Sequence, residues 1–123
     1  MHVAHVAINV SDLQTSIDFY EGILGLDHLW DFENDGVTNY YVGTAEGGAI
    51  QLKHDPSDQT RIEPTGIDHI ALDVDDVDGT FERVTTESDY GVHLEPTTFE
   101  AANRRAAFVY DPDGYVIEFV QPV

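Results

Sequence analysis

A motif near the start of the chain recurs in its second half, and this internal repeat is the strongest constraint on the fold. Residues 5–13 read HVAINVSDL and residues 69–77 read HIALDVDDV. Each copy leads into a segment with helical spacing. Each half then ends on an apolar strand that contains one polar residue, AIQL at 49–52 and VIEF at 116–119. The chain is therefore expected to consist of two similar halves.

Length and composition indicate one soluble globular domain over residues 1–123. Hydrophobic residues make up 41% of the 123 residues, enough for a core without disulfide support. There is no cysteine, which excludes disulfides and thiol chemistry. No apolar run approaches the roughly 20 residues that span a bilayer, and no secretion signal is evident at the N-terminus. We expect a cytoplasmic protein that does not bind membranes.

The chain is extremely acidic, with 24 Asp and Glu against 5 Lys and Arg and a net charge of −19. The acidic residues are spread from Asp12 to Glu118 instead of forming one tail. This distribution favours adaptation to high salt over a docking site for a cationic partner. It also makes nucleic-acid binding unfavourable, because both partners would be anionic.

The charge predicts that the folded state depends on salt. Unscreened repulsion among the carboxylates disfavours a compact chain, and added salt removes that penalty. We expect the midpoint of thermal unfolding to rise by roughly 5 °C or more between low and molar sodium chloride, which corresponds to about 1 kcal/mol in a chain of this size. Circular dichroism across a salt series measures it. A midpoint that does not rise would contradict the prediction.

The first half, residues 1–55, is predicted to fold as βαβββ. Alternating apolar residues indicate a first strand over 3–10, and Leu13, Ile17, Tyr20 and Leu24 recur at helical spacing behind a capping Ser11 or Asp12. Three further strands are predicted over 27–33, 37–43 and 48–54. The NDG sequence at 34–36 indicates a tight hairpin between the first two of these.

The second half, residues 67–123, is predicted to repeat that order after a polar, turn-rich linker over about 55–66. Its elements are a strand over 67–74, a helix over 76–88 and strands over 92–99, 104–110 and 115–121. The DPDG sequence at 111–114 indicates a tight turn before the last strand. The fold class is therefore α+β, with two βαβββ modules.

Four polar residues occupy equivalent places in the two halves: His5 and Gln51 in the first, His69 and Glu118 in the second. Because side chains alternate along a strand, all four point away from the apolar face that the helices should cover. A single histidine on a strand is more often a packing or surface residue, so the prediction depends on the joint recurrence. Two imidazoles, a carboxylate and an amide oxygen suit a divalent ion such as zinc, nickel, manganese or iron.

These motifs resemble the vicinal oxygen chelate superfamily, which contains glyoxalase I, fosfomycin-resistance thiol transferases, extradiol dioxygenases, methylmalonyl-CoA epimerase and bleomycin-resistance proteins. The resemblance covers essentially the whole chain. It is carried by HVAINVSDL at 5–13, SIDFY at 16–20, LGL at 24–26, GIDHIAL at 66–72 and, most specifically, AFVYDPDGYVIEF at 107–119. It implies two modules whose mixed sheets curl around a metal-binding groove, with ligand positions at His5, Gln51, His69 and Glu118.

The resemblance also implies a reaction. Members of this superfamily bind a small substrate through its vicinal oxygens, and the ion acts as a Lewis acid. The ending of the chain looks most like the compact bacterial glyoxalase I, in which the last-strand glutamate is both ligand and base. That role falls on Glu118. Dimeric members of this type place the site at the subunit interface, so a homodimer is implied as well.

Other reactions of the superfamily stay open. Glyoxalase I usually has a carboxylate where this chain has Gln51, and no cluster for the glutathione carboxylates is evident among Lys53, Arg61, Arg83, Arg104 and Arg105. Methylmalonyl-CoA epimerase shares the ligand set, but its additional glutamate aligns with Asn39. An extradiol-type dioxygenase would use His5, His69 and Glu118 for ferrous iron. A metal-free drug-sequestering protein of the bleomycin-resistance type would lack the ligand set.

Overall fold

Each half of the chain forms one four-stranded sheet in the computed structural model, which describes residues 1–123. The chain divides into two units, Met1–Ile62 and Glu63–Val123, and the boundary lies inside the polar segment 55–66. Both sheets are mixed and the helices are few, so the predicted α+β class with two βαβββ halves is confirmed. That residues 1–123 behave as a single domain stays a prediction.

The first unit contains the predicted elements in the predicted order. They are β1 (His5–Asn9), α1 (Leu13–Ile17), a π-helical segment (Asp18–Ile23), β2 (Asp27–Asn34), β3 (Val37–Gly43) and β4 (Ala49–His54). The strand order is β1-β4-β3-β2, with β1 parallel to β4 and the other pairs antiparallel. Asp35 and Gly36 have φ angles of 52° and 82°. Two successive left-handed residues close the tight hairpin that the sequence predicts between β2 and β3.

The second unit repeats this arrangement. Its elements are β5 (Ile70–Asp73), α2 (Val77–Glu87), β6 (Val92–Phe99), a 3₁₀ turn (Glu100–Ala102), β7 (Arg104–Tyr110) and β8 (Val116–Pro122), in the sheet order β5-β8-β7-β6. The buried carboxylate of Asp111 accepts from the backbone N–H of Asp113 at 2.8 Å and of Tyr115 at 2.9 Å. These bonds hold the turn that delivers β8 to the sheet.

Three predicted elements differ from the structure by more than a shift of one residue at an end. The first strands of the halves are shorter than predicted, His5–Asn9 instead of 3–10 and Ile70–Asp73 instead of 67–74. The first helix changes geometry after Ile17, and the N–H of Leu24 donates to the carbonyl of Phe19, five residues back, at 2.8 Å. This wider turn is a π-helical geometry that a 3.6-residue period does not predict.

The apolar core of each unit lies between its sheet and its helix. In the first unit Phe19 and Tyr20 are fully buried together with Val42 and Leu52 of the sheet. In the second unit α2 packs on β7 and β8, and its buried face presents Val77 and Val84. The apolar alternation of the first strand predicts that Ala4, Val6, Ile8 and Val10 share an inward face, but only Ile8 and Val10 are buried, and Ala4 and Val6 are exposed. None of the helices has the length and apolar character that a membrane crossing requires.

Candidate metal centre

Strand register places His5 and Gln51 on the same face of the first sheet. Gln51 of β4 lies between Ala7 of β1 and Tyr41 of β3. His5 precedes Ala7 by two residues, so its side chain shares the face of Gln51. This is the face opposite the helix, because Ile50 and Leu52 on either side of Gln51 belong to the buried core.

The second sheet reproduces this geometry around His69 and Glu118. Glu118 pairs with Phe108, as Gln51 pairs with Tyr41. The rings of His5 and Tyr41 pack edge to face, with their centroids 5.3 Å apart and their planes at 89°. The rings of His69 and Phe108 pack in the same way, with a centroid distance of 5.5 Å and an interplanar angle of 87°. The sequence repeat is therefore also a repeat of side-chain geometry on the two sheet faces.

In the second unit, His69 lies between two carboxylates. Its Nε2 is 3.3 Å from Glu118 Oε1, and its Nδ1 is 2.7 Å from Asp68 Oδ2. When Asp68 accepts the Nδ1 proton of a neutral imidazole, Nε2 carries the lone pair and faces the Glu118 oxygen. Two electron-pair donors at this separation repel unless a proton or a metal ion lies between them. A proton or a metal ion therefore fits between them, and Asp68 lies at the other ring nitrogen, where metal-binding histidines commonly donate to a carboxylate.

In the first unit, the amide of Gln51 is oriented by another buried amide. Gln51 Nε2 donates to Asn39 Oδ1 at 2.7 Å, and the two residues are 8% and 5% exposed. The carbonyl oxygen of Gln51 accepts no hydrogen bond from the protein. It is therefore available to a ligand on this face, as an oxygen donor for a divalent ion must be.

The four residues predicted as ligands thus lie as two pairs, one in each unit. His69 and Glu118 are in contact, while His5 and Gln51 share one face of the first sheet. The structure contains no group of three or more His, Asp or Glu side chains arranged to hold a metal ion. The four-residue metal site stays a prediction.

An exposed stack of aromatic rings lies beside Gln51 and was not predicted from the sequence. Trp30 of β2 stacks on Tyr41 with a ring-centroid distance of 4.6 Å and an interplanar angle of 13°. It also stacks on Phe32, with a centroid distance of 5.1 Å and an interplanar angle of 23°. Trp30 and Phe32 are both exposed, and Trp30 pairs with Tyr41 across the sheet. The alternation of Trp30 and Phe32 around Asp31 was the available signal. We call these three rings the aromatic stack.

Two of the basic side chains are engaged on the side of α2. Arg105 donates to both oxygens of Asp78, at 2.6 and 2.7 Å. This hydrogen-bonded guanidinium holds the pKa of the Asp78 carboxyl below its usual range. Arg83 pairs with Glu87 at 3.6 Å along the same helix. Arg105 alternates with Ala106, so it points away from the face that carries Glu118.

Comparison with known proteins gives a consistent result over the whole chain. Residues 2–119 match the model of the Glyoxalase/Bleomycin resistance protein/Dioxygenase superfamily. A probable lactoylglutathione lyase from Synechocystis sp. is 34% identical over 126 residues, which cover 98% of this chain and 95% of that protein.

Solved structures with a similar fold include two of more than 25% sequence identity. The trypanothione-dependent glyoxalase I of Leishmania major has a TM-score of 0.83 and 28% identity, over 98% of this chain and 86% of that one. The antibiotic binding protein TnmS3 from Streptomyces sp. has a TM-score of 0.80 and 27% identity, over 100% of this chain and 97% of that one.

Proposed function

Since the chain belongs to the Glyoxalase/Bleomycin resistance protein/Dioxygenase superfamily, we propose that it catalyses a glyoxalase I-like isomerisation of a small substrate with vicinal oxygens. The substrate class is a hemithioacetal, the adduct of a thiol with a 2-oxoaldehyde, and the product is a 2-hydroxy thioester. The observation that carries this proposal is the contact of His69 Nε2 with Glu118 Oε1 at 3.3 Å, with Asp68 on the other ring nitrogen.

The proposed activity depends on a divalent ion, and the four predicted ligands fit one. In this proposal His5 and Gln51 supply one half of the ligand set, and His69 and Glu118 supply the other half. The donors suit zinc, nickel, manganese or iron. The bound ion supplies Lewis-acid stabilisation of the negative charge that develops on the substrate oxygens.

Glu118 carries the proton transfer in this proposal. It is the only carboxylate among the four ligands, so it alone can take the proton from the carbon that bears sulfur. It then returns that proton to the neighbouring carbon, and the hydroxyl proton moves to the former ketone oxygen, so that the ketone becomes an alcohol and the carbinol a thioester without any oxidant. The Glu118 side chain is only 15% exposed, so bulk water has little access to its carboxylate.

The charges of this chain bear on the thiol of the substrate. Arg105 and Arg83 are engaged by Asp78 and Glu87, and the net charge of −19 repels a polyanionic thiol. Two cations lie on the candidate site faces: Lys53 is two residues after Gln51 on β4, and Arg104 is four residues before Phe108 on β7. We therefore propose a thiol with fewer carboxylates than glutathione, with Lys53 as the nearest cation in the first unit.

A hemithioacetal isomerase assay tests this function. Metal-free protein at molar salt is loaded with nickel, zinc, manganese or ferrous iron and given methylglyoxal with glutathione or with a thiol that has no carboxylate. We expect thioester formation with at least one metal, loss of it on chelation, and the higher rate with the uncharged thiol. The absence of turnover with every metal and both thiols would contradict the proposal.

We also propose a homodimer, because each sheet presents a polar and aromatic face that a second sheet can cover across a two-fold axis. The molecular mass at molar salt tests the assembly, since low salt alone could separate so acidic a pair. A monomer at micromolar concentration would contradict it.

A second candidate is a metal-free protein that sequesters a planar ligand, and the aromatic stack favours it. Parallel exposed rings such as Trp30 and Phe32 can stack on an aromatic compound. Metal analysis separates the candidates, because a sequestering protein needs no ion. Protein that retains none of the four metals would favour this second function.

A further inference from the structure

Asn39 is held between a backbone carbonyl and the side chain of Gln51. Its Nδ2 donates to the carbonyl of Val37 at 3.3 Å, and its Oδ1 accepts from Gln51 Nε2 at 2.7 Å. The first bond fixes which end of the Asn39 amide faces Gln51, because only an oxygen is left on that side. The Gln51 nitrogen must then point toward Asn39, and its carbonyl oxygen must point away.

We propose that Asn39 is a positioning residue that turns the carbonyl oxygen of Gln51 toward the metal, an inference that rests on the proposed function. An amide ligand has this requirement because only one of its two ends can bind a cation. A glutamine rotated by half a turn would present its NH₂ group and repel the ion. Burial strengthens the constraint, since the Gln51 N–H groups would lose a hydrogen bond if they left Asn39.

The second half of the chain supports this inference. Phe108 is equivalent to Tyr41, so the residue equivalent to Asn39 is Ala106, two positions earlier on β7. The ligand beside Ala106 is Glu118, whose two oxygens are equivalent and need no partner to choose between them. An amide thus stands beside the amide ligand, and a methyl group stands beside the carboxylate ligand.

This comparison supplies the experiment. Asn39→Ala introduces into the first half the residue type of Ala106, and Gln51→Glu introduces the residue type of Glu118. Nickel affinity of metal-free protein is measured by calorimetry for the wild type, both single variants and the double variant at molar salt. We expect Asn39→Ala to weaken nickel binding by about 10- to 100-fold, the usual loss for an outer-shell partner. In the Gln51→Glu background the same change should cost less than about threefold.

Asn39→Asp is the conservative control, because it keeps an acceptor oxygen for Gln51 and should not weaken nickel binding. Thermal unfolding of each variant shows whether a loss of nickel affinity comes from a less stable fold or from the orientation of the Gln51 amide. Equal losses of affinity in the two backgrounds would reduce Asn39 to a structural residue, and no loss in either would exclude any role. Both results overturn the inference while the isomerase assay can still succeed. Wild-type protein that binds no nickel overturns it as well.

Discussion

Replacing Phe119 by alanine is expected to lower the free energy of unfolding by about 3–5 kcal/mol, the range for a large aromatic removed from a core. Phe119 is 1% exposed and lies on the helix-covered face of β8. It pairs with Leu72 of β5 and Ala107 of β7, so the cavity would open at the centre of the second sheet. Urea unfolding at molar salt, followed by circular dichroism, measures the loss.

Phe32→Ala is the matched control, because it removes the same atoms from the opposite kind of face. Phe32 is 37% exposed and belongs to the aromatic stack. Its removal costs ring stacking but opens no enclosed cavity, because the ring lies at the surface, so we expect about 1 kcal/mol. Equal losses at the two positions would show that the helix-covered face is not where the core lies.

The sequence predicted most of the fold because local patterns and turn residues agree with each other. The bounds of β3, β6 and β7 match the predictions at both ends: Val37–Gly43, Val92–Phe99 and Arg104–Tyr110. Gly36, Gly91 and Gly114 all have left-handed φ angles at the turns beside these strands. Such turn residues fix the ends of a strand, and the alternation of apolar and polar residues then identifies the strand between them.

The predictions fail where backbone geometry depends on packing. Phe19 and Tyr20 are adjacent and both fully buried. A regular α-helix turns successive residues by 100°, whereas the wider π-helical segment here buries both neighbouring rings. The first strands of the halves are shortened at their ends, where pairing with β4 and β8 begins only at His5 and Ile70. The periodicity of apolar residues in the sequence predicts neither effect.

The sequence predicted the sheet face on which each candidate site residue lies, but it did not predict which side chains are in contact. Alternation along each strand places Gln51 and Glu118 opposite the core, and the structure agrees. The bond from Gln51 to Asn39 depends on the register of β3 against β4, which joins residues 12 positions apart. Sequence alone gives no such register, so Asn39 could be noticed only as a position where a catalytic glutamate is absent.

Neighbouring residues on β8 therefore have separate predicted roles, stability for Phe119 and chemistry for Glu118. Glu118→Gln keeps the size of the side chain and one oxygen, but it removes the base and one negative charge. Under the proposed function we expect turnover to fall by about 10²-fold or more, the usual scale for a lost general base. Metal should be retained with weaker affinity, and the free energy of unfolding should change little, because Glu118 is outside the core.

Glu82→Gln on the exposed side of α2 makes the same chemical change away from the site and should leave turnover unaltered. Gln51→Glu should be tolerated, and it restores the carboxylate usual in glyoxalase I. In the variant the amide of Asn39 must rotate to offer its NH₂ group, which gives up a bond to Val37 of 3.3 Å. Steady-state rates with measured metal content compare all three. A fully active Glu118→Gln variant with unchanged metal would leave Glu118 as a ligand only, and the proton would have to move through another group.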